Sequence, residues 1–246
     1  MTMSSVLPPV QRGTIRHQVV RSLLAAIVAG RFAAGHRMVV QTLAVELGVS
    51  ATPIREALVE LAGIGVVDIL PNRSAVCRRF DRSEIRGIYQ VRRVLEVEAT
   101  REACGKIAAA DLLRLEQEFA GLIACHLATG DGSRRAIAAD IQLHGLIAKH
   151  VGNGRLADEI KRYNLIVQIV REVVDNDLHA QEVAIPEHLE IVRALQSNQA
   201  SLAADAMDRH IRSTASIVEA SMFSHRADSS SKVPAAAPWF SEGSMT

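Results

Sequence analysis

The stretch "GVSATPIREAL", residues Gly48 to Leu58, decides how the first third of the chain is read. It sets a glycine, two hydroxyl side chains and a proline ahead of one arginine embedded among aliphatic residues. Glycine suits the left-handed conformation that follows a helix, so Gly48 ends a short helix carrying Leu43, Ala44 and Leu47 on one side. A new helix starts beyond Val49, with Ser50 or Thr52 as its cap and Pro53 in the first turn, where backbone N–H groups have no intrahelical acceptor. Ile54, Ala57, Leu58 and Leu61 fall at i, i+3, i+4 and i+7 and face the core. Ala51, Thr52 and Arg55 are left together on another face, with Arg55 pointing outward.

Working outward, Ile15, Val19, Leu23 and Ile27 recur at helical spacing and stop near Gly30, which predicts a helix before this pair. After Gly65, "VVDIL" and "AVCRRF" read as two short strands around the turn "PNRS", a hairpin with Arg73 at its tip. Three helices with a tight turn between the second and third, followed by a hairpin, describe a winged helix-turn-helix. Its third helix would enter the major groove of double-stranded DNA, where Arg55 can make a bidentate contact to guanine. On an ordinary surface helix the same arginine would pair with Glu56 or Glu60.

Charge favours the first reading. Residues 1–80 hold nine Arg and no Lys against four acids, a net of +5, whereas the rest holds 19 basic and 23 acidic residues, a net of −4. A basic segment on a mildly acidic body fits a chain whose first part meets a polyanion. The 246 residues suffice for two domains, and 48% hydrophobic residues with only 3% aromatics favour packed helices over sandwiches or barrels. No apolar run approaches the ~18 residues of a membrane span, and the N-terminus lacks the apolar middle of a signal peptide. The scattered Cys77, Cys104 and Cys125 read as reduced thiols. A cytoplasmic location with no membrane association is therefore expected.

The segment from "GHRMVV" through "GVSATPIREALVELAGIGVVDILPNRSAVC" resembles the DNA-binding domain of GntR-type bacterial transcription regulators over about 70 residues. That family carries a Ser-x-Thr-Pro-x-Arg-Glu-Ala-Leu segment and a Pro-Asn-Arg-Gly wing. The resemblance implies DNA contacts from Ser50, Ala51, Thr52, Arg55, Asn72 and Arg73. Two departures stand out: Ala51 occupies a position where relatives usually have a DNA-contacting arginine, and Ser74 replaces the wing glycine, so the operator sequence does not carry over.

From about Asp81 to Ser224 the chain reads as six amphipathic helices. The first contains "IYQVRRVLEVEATREAC", and the others cover roughly 108–128, 133–151, 155–176, 183–197 and 200–223. The domains expected are thus a winged helix-turn-helix over 10–80, an all-α unit over 81–224 and a loosely ordered tail over 225–246. Asp140 and His144 stand at i, i+4, on a face that Ile137, Ile141, Ile147 and Val151 turn inward. His188 shares a face with Val192 and Leu195, and His210 with Met207, Thr214 and Ile217. Any one of these histidines, taken singly, reads as a hydrogen-bonded core residue. Four ligating groups on three apolar-faced helices are costly to bury unless something satisfies them, and a divalent cation would do so. His126, His150 and His179 follow no such pattern.

The same Asp-x3-His, His and His arrangement is similar to the FCD effector domain of the FadR-like branch of the GntR family. The resemblance implies a divalent transition metal, zinc or nickel, at the floor of a pocket for a small organic acid. "RRVLE" resembles the family's Arg-x2-Leu-Glu segment, which brings Arg92 to that pocket with Glu96 one turn away. Outside the resemblance, Arg92 and Glu96 read as an ordinary i, i+4 surface pair. Because imidazole ligates only when neutral, metal affinity is expected to fall below pH about 6.5. The chain is thus expected to be a homodimeric, ligand-responsive repressor of a palindromic operator and not an enzyme. Two rivals stand beside that expectation: a metal-dependent hydrolase built on the Asp/His group, although no HExxH motif occurs, and a metal-free bundle that serves only dimerisation.

Overall fold

The computed structural model describes residues 12–71, 74–124, 130–174 and 178–228. The chain opens with α1 (Arg12–Val28), β1 (Arg37–Met38), α2 (Val40–Glu46), α3 (Ala51–Ile64), β2 (Val67–Ile69) and β3 (Ala75–Cys77). It continues through α4 (Arg82–Ala103), α5 (Ala109–Ile123), α6 (Gly130–His150), α7 (Gly154–Val173), α8 (Leu178–Gln196) and α9 (Ala200–Asp228). The fold is mostly α, a winged helix-turn-helix followed by an all-α bundle.

In the first unit, Ile54, Ala57, Leu58 and Leu61 of α3 are all buried, as their spacing requires. They meet Val20, Leu23, Leu24 and Ile27 of α1, each at most 2% exposed. Ile15, assigned to that apolar stripe, is instead exposed at the start of the helix. Gly48 takes φ +62 in the turn between α2 and α3, and Gly65 takes φ +90 as the residue that closes α3. Ser50 occupies the N-cap position of α3 in an extended conformation, but its side chain makes no capping bond, and Thr52 lies within the helix, so neither hydroxyl caps it. The hairpin forms with Val67 opposite Cys77 and Ile69 opposite Ala75. A third strand escaped the sequence reading: β1 pairs antiparallel with the other side of β3, giving the order β1-β3-β2. Two residues carry too little periodicity to announce a strand. The wing-tip residues Asn72 and Arg73 lie outside the described residues.

Asp81 starts the bundle, its Oδ1 accepting from the backbone N–H groups of Ser83 and Glu84 at 2.9 and 3.2 Å. This side-chain acceptor satisfies two of the donors that a helix start leaves open. α9 packs along both α4 and α8, α5 covers α8, and α6 and α7 close the far side of α4. Three boundaries moved. α5 ends at Ile123, α9 runs on to Asp228, and α8 begins at Leu178 with Pro186 inside it, where the sequence reading began that helix close to the proline. The α6 face is rotated from the one expected. Ala136, Ala139, Leu143, Ile147 and Ala148 are buried and Ile141 is 43% exposed, because α4 and α8 take the stripe beside it. The two units touch through α1 and α7, where Arg21 Nη2 meets Glu172 Oε1 at 2.5 Å. No helix among the described residues is long and apolar enough to cross a membrane.

Candidate metal and effector site, and the outward face of α3

Asp140, His144, His188 and His210 converge in the bundle, each offering a ligand atom, with all four atoms within 4.8 Å of one another. α6 supplies the first two a turn apart, α8 the third and α9 the fourth. Asp140 Oδ1 lies 3.8 Å from His144 Nε2 and 3.3 Å from His188 Nε2, and His188 Nε2 lies 3.1 Å from His210 Nε2. The three imidazoles are at most 2% exposed and Asp140 is 8% exposed. Three nitrogens and a carboxylate oxygen, buried and aimed at one point, could hold a divalent ion.

Carboxylates behind the rings fix which nitrogen faces that point. His144 Nδ1 bonds Glu96 Oε2, and His210 Nδ1 bonds Glu187 Oε2 at 2.9 Å. A carboxylate only accepts, so each Nδ1 carries the proton and each Nε2 keeps its lone pair for a ligand. Asp140 is divided in the same way: Oδ2 takes Arg171 Nη1 at 2.8 Å, which leaves Oδ1 toward the histidines. Burial pushes His188 and His210 well below the ordinary imidazole range, aided by neighbouring His210 and His144 respectively. Burial works against the Asp140 charge, but Arg171, His144 and His188 outweigh it and hold the carboxyl well below its usual range. Glu96 behaves alike: Arg92 and His144 overcome burial and bring it down to about 2. Glu187, half-buried, is pushed up by its burial.

Arg92 and Glu96 are no surface pair. Both are 1% exposed, with Arg92 Nε on Glu96 Oε1 at 2.5 Å. Arg92 Nη2 lies 3.3 Å from His144 Nε2, while among the described residues Nη1 has no hydrogen-bond partner. A cavity of about 180 Å³ opens here, lined by Arg92, Asp140 and His144 on one side and Asn164, Gln168 and Arg171 on the other. A smaller apolar recess of about 40 Å³, lined by Ile137, Ala184, Ile185 and Val218, reaches Asp140 and His188 from the opposite side.

Arg171 and Glu187 were missed in the sequence. The signal for Arg171 was present, a lone arginine inside the apolar run "LIVQIVREVV", the same kind of signal that singled out Arg55. None marked Glu187, because it adjoins His188 in sequence yet serves His210 on another helix. His150 Nδ1 bonds the Leu146 carbonyl within its own helix, and His126 lies outside the described residues.

On α3, Ser50, Thr52 and Arg55 are exposed and Ala51 is half-buried, forming one outward face at the helix start. Glu60, one of the proposed partners of Arg55, pairs instead with Arg16 at 3.4 Å, and Arg55 makes no ion pair among the described residues.

The description "Bacterial regulatory proteins, gntR family" matches residues 15–76, and "FCD domain" matches residues 87–213. The chain is 26% identical over 217 residues to the transcriptional repressor RspR of Escherichia coli, spanning 86% of this chain and 91% of that one. It is 25% identical over 202 residues to the "Probable D-xylose utilization operon transcriptional repressor" of Paenarthrobacter nicotinovorans, spanning 81% and 87%. In fold it resembles E. coli McbR/YncC (TM-score 0.60, 19% identity, 83% of this chain and 96% of that one) and the Listeria monocytogenes regulator Lar (0.55, 16%, 91% and 99%). A basic winged helix-turn-helix joined to a helical bundle with a buried Asp/His cluster is thus accounted for: the chain belongs to the gntR family of bacterial transcriptional regulators and carries an FCD domain.

Proposed function

We propose that this regulator binds one divalent transition metal, zinc or nickel, through Asp140, His144, His188 and His210, and that a small organic acid seated on the metal alters its affinity for operator DNA. The observation that carries the proposal is the pairing of His144 and His210 with carboxylates, which leaves their Nε2 atoms facing Asp140 Oδ1 and His188. Bound there, the metal supplies a Lewis-acidic anchor for a carboxylate, serving recognition. With His144 Nε2 committed to the metal, Arg92 Nη2 loses its acceptor, and together with the orphaned Nη1 it presents a fork that matches a carboxylate. A hydrolase is not favoured. Glu96 and Glu187 are both held by imidazole N–H groups, so neither is free as a general base, and the relatives named above are regulators.

Residues 10–80 would form the DNA-binding unit, with Ser50, Ala51, Thr52 and Arg55 at the major groove and the wing residues Asn72 and Arg73 at the backbone or minor groove. Residues 81–224 would form the effector and dimerisation unit of a cytoplasmic homodimer on a palindromic operator, and the repressors among the relatives support repression. The α7 helix offers the connection: Arg171 holds Asp140 at the site, while its neighbour Glu172 holds Arg21 of α1. Elemental analysis of untagged protein tests the site. One bound ion per subunit, lost in a His188→Ala/His210→Ala variant, is expected, and unchanged metal content in that variant sinks the assignment.

A further inference from the structure

The wall of the cavity opposite Arg92 belongs to α7, and its composition is uneven. Asn164, Gln168 and Arg171 stand at i, i+4 and i+7, so they form one stripe. Arg171 is spent on Asp140. Asn164 and Gln168 are half-buried, and among the described residues their amides have no protein hydrogen-bond partner. Lys161 continues the stripe at the mouth, about 15 Å from Arg171 along the helix, and is mostly exposed and already paired with Asp158 at 3.0 Å. Neither amide is cut off from water, so a ligand that enters the cavity has to replace that water, and each amide offers both donors and an acceptor, the pattern a hydroxyl group satisfies in both directions.

Charge narrows the ligand further. Arg92 and Arg171 with a divalent ion bring four positive charges, against three negative ones on Asp140, Glu96 and Glu187. One bound carboxylate closes that balance, whereas a second would have to draw Lys161, at the mouth, away from its exposed pair with Asp158. A long apolar chain would strand both amides, and the recess on the other side, at about 40 Å³, is much smaller than the cavity the amides line.

We propose that Asn164 and Gln168 are the specificity-determining residues of the pocket, and that the effector is a short monocarboxylic acid bearing hydroxyl groups along its chain, neither a dicarboxylic nor a fatty acid. This rests on the carboxylate site proposed above. The test is calorimetric titration of the full-length, zinc-loaded protein with the aldonates threonate, xylonate and gluconate. Their unsubstituted counterparts butanoate, pentanoate and hexanoate, and the aldarates tartrate and glucarate, complete the panel. At least one aldonate should bind about tenfold or more tightly than its unsubstituted counterpart and than the aldarates. Asn164→Ala/Gln168→Ala should remove that margin while leaving zinc content and affinity for the unsubstituted acid unchanged, and the single variants Asn164→Ala and Gln168→Leu should each remove part of it. Equal or tighter binding of the unsubstituted acid or the aldarate, failure of every aldonate to bind, or a margin kept in the double variant overturns the proposal. The wild-type comparison needs no variant. If acids bind only with zinc but without preference for hydroxyls, the metal-anchored carboxylate survives and the role of α7 falls; if no acid in the panel binds the zinc-loaded protein, both fall.

Discussion

At the scale of single residues, histidine ligands are decided by what stands behind them. Replacing Glu187 with Gln leaves a hydrogen-bonding group near His210 Nδ1 but removes the charge that favours the Nε2-ligating form, so metal affinity should fall by about 10- to 100-fold with little change of fold. A competition titration with a chelator measures this, and unchanged affinity would show that Glu187 does not act on the site. The expected loss of metal near pH 6.5 also needs correction. Burial holds His188 and His210 well below the ordinary imidazole range, so they stay neutral and metal-competent further into acid. The same shifts set the acid stability of metal-free protein. Between their folded and unfolded pKa values the unfolded chain binds more protons, so stability is full above about pH 6.5 and declines as pH falls below it. The lowered carboxyls Asp140 and Glu96 add losses of the same sign at lower pH, Glu96 until its folded value of about 2. Urea unfolding of the metal-free chain should therefore give a lower midpoint at pH 5.5 than at pH 7.5, and a higher one would contradict the burial of neutral imidazoles.

At the scale of elements, the proposed reading face of α3 is set by the turn that fixes its angle to α2. Gly48 at φ +62 has nothing within 4 Å of a would-be Cβ, so Gly48→Ala meets no clash and pays only for the left-handed backbone, about 1–2 kcal/mol. Thermal unfolding would check this, and Gly48→Asn should lose less because asparagine tolerates that conformation. On the outward face of the same helix, Arg55→Ala should remove about 1–3 kcal/mol of operator binding per half-site without changing stability, since the side chain is exposed and makes no ion pair among the described residues. Fluorescence anisotropy with operator and scrambled duplexes reads the difference; undiminished discrimination would place the recognition surface elsewhere. Arg73→Ala should instead weaken both duplexes alike and flatten the salt dependence.

At the scale of the whole molecule, Arg171 and Glu172 are adjacent in α7 and reach opposite ways, one to Asp140 and the other to Arg21. An acid can alter DNA affinity only by binding two states of the protein unequally, and α7 is an element that touches both the cavity and the DNA-binding unit. Arg21→Ala and Glu172→Ala should each leave acid binding to free protein intact, reduce its effect on operator affinity, and show non-additive effects when combined. Both side chains are about a third or more exposed, so their pairing contributes little to stability, and the readout is coupling. Operator DNA must shift acid affinity by the same factor as the acid shifts operator affinity; equal acid affinities with and without operator would leave the two units uncoupled.

The winged unit was legible in the sequence because its signals are local. Helix periodicity, a glycine able to turn left-handed and a proline in a first turn act within a few residues, and they placed α3, its buried face and the outward Arg55. Periodicity likewise announced the bundle helices, and a shared apolar face marked Asp140, His144, His188 and His210 as inward. What periodicity carries is which side of a helix is buried, not which partner it meets. So Ile141 was put on the wrong side, Arg92 and Glu96 read as a surface pair wherever the family resemblance was set aside, and Arg171, Glu187, Asn164 and Gln168 went unremarked. Their roles depend on distances between helices far apart in the chain, such as the 48 residues between Glu96 and His144. Only the tertiary packing decides those distances, because a side chain gains a hydrogen bond or a counter-charge from whatever group the fold brings beside it, and no spacing along one helix encodes that neighbour.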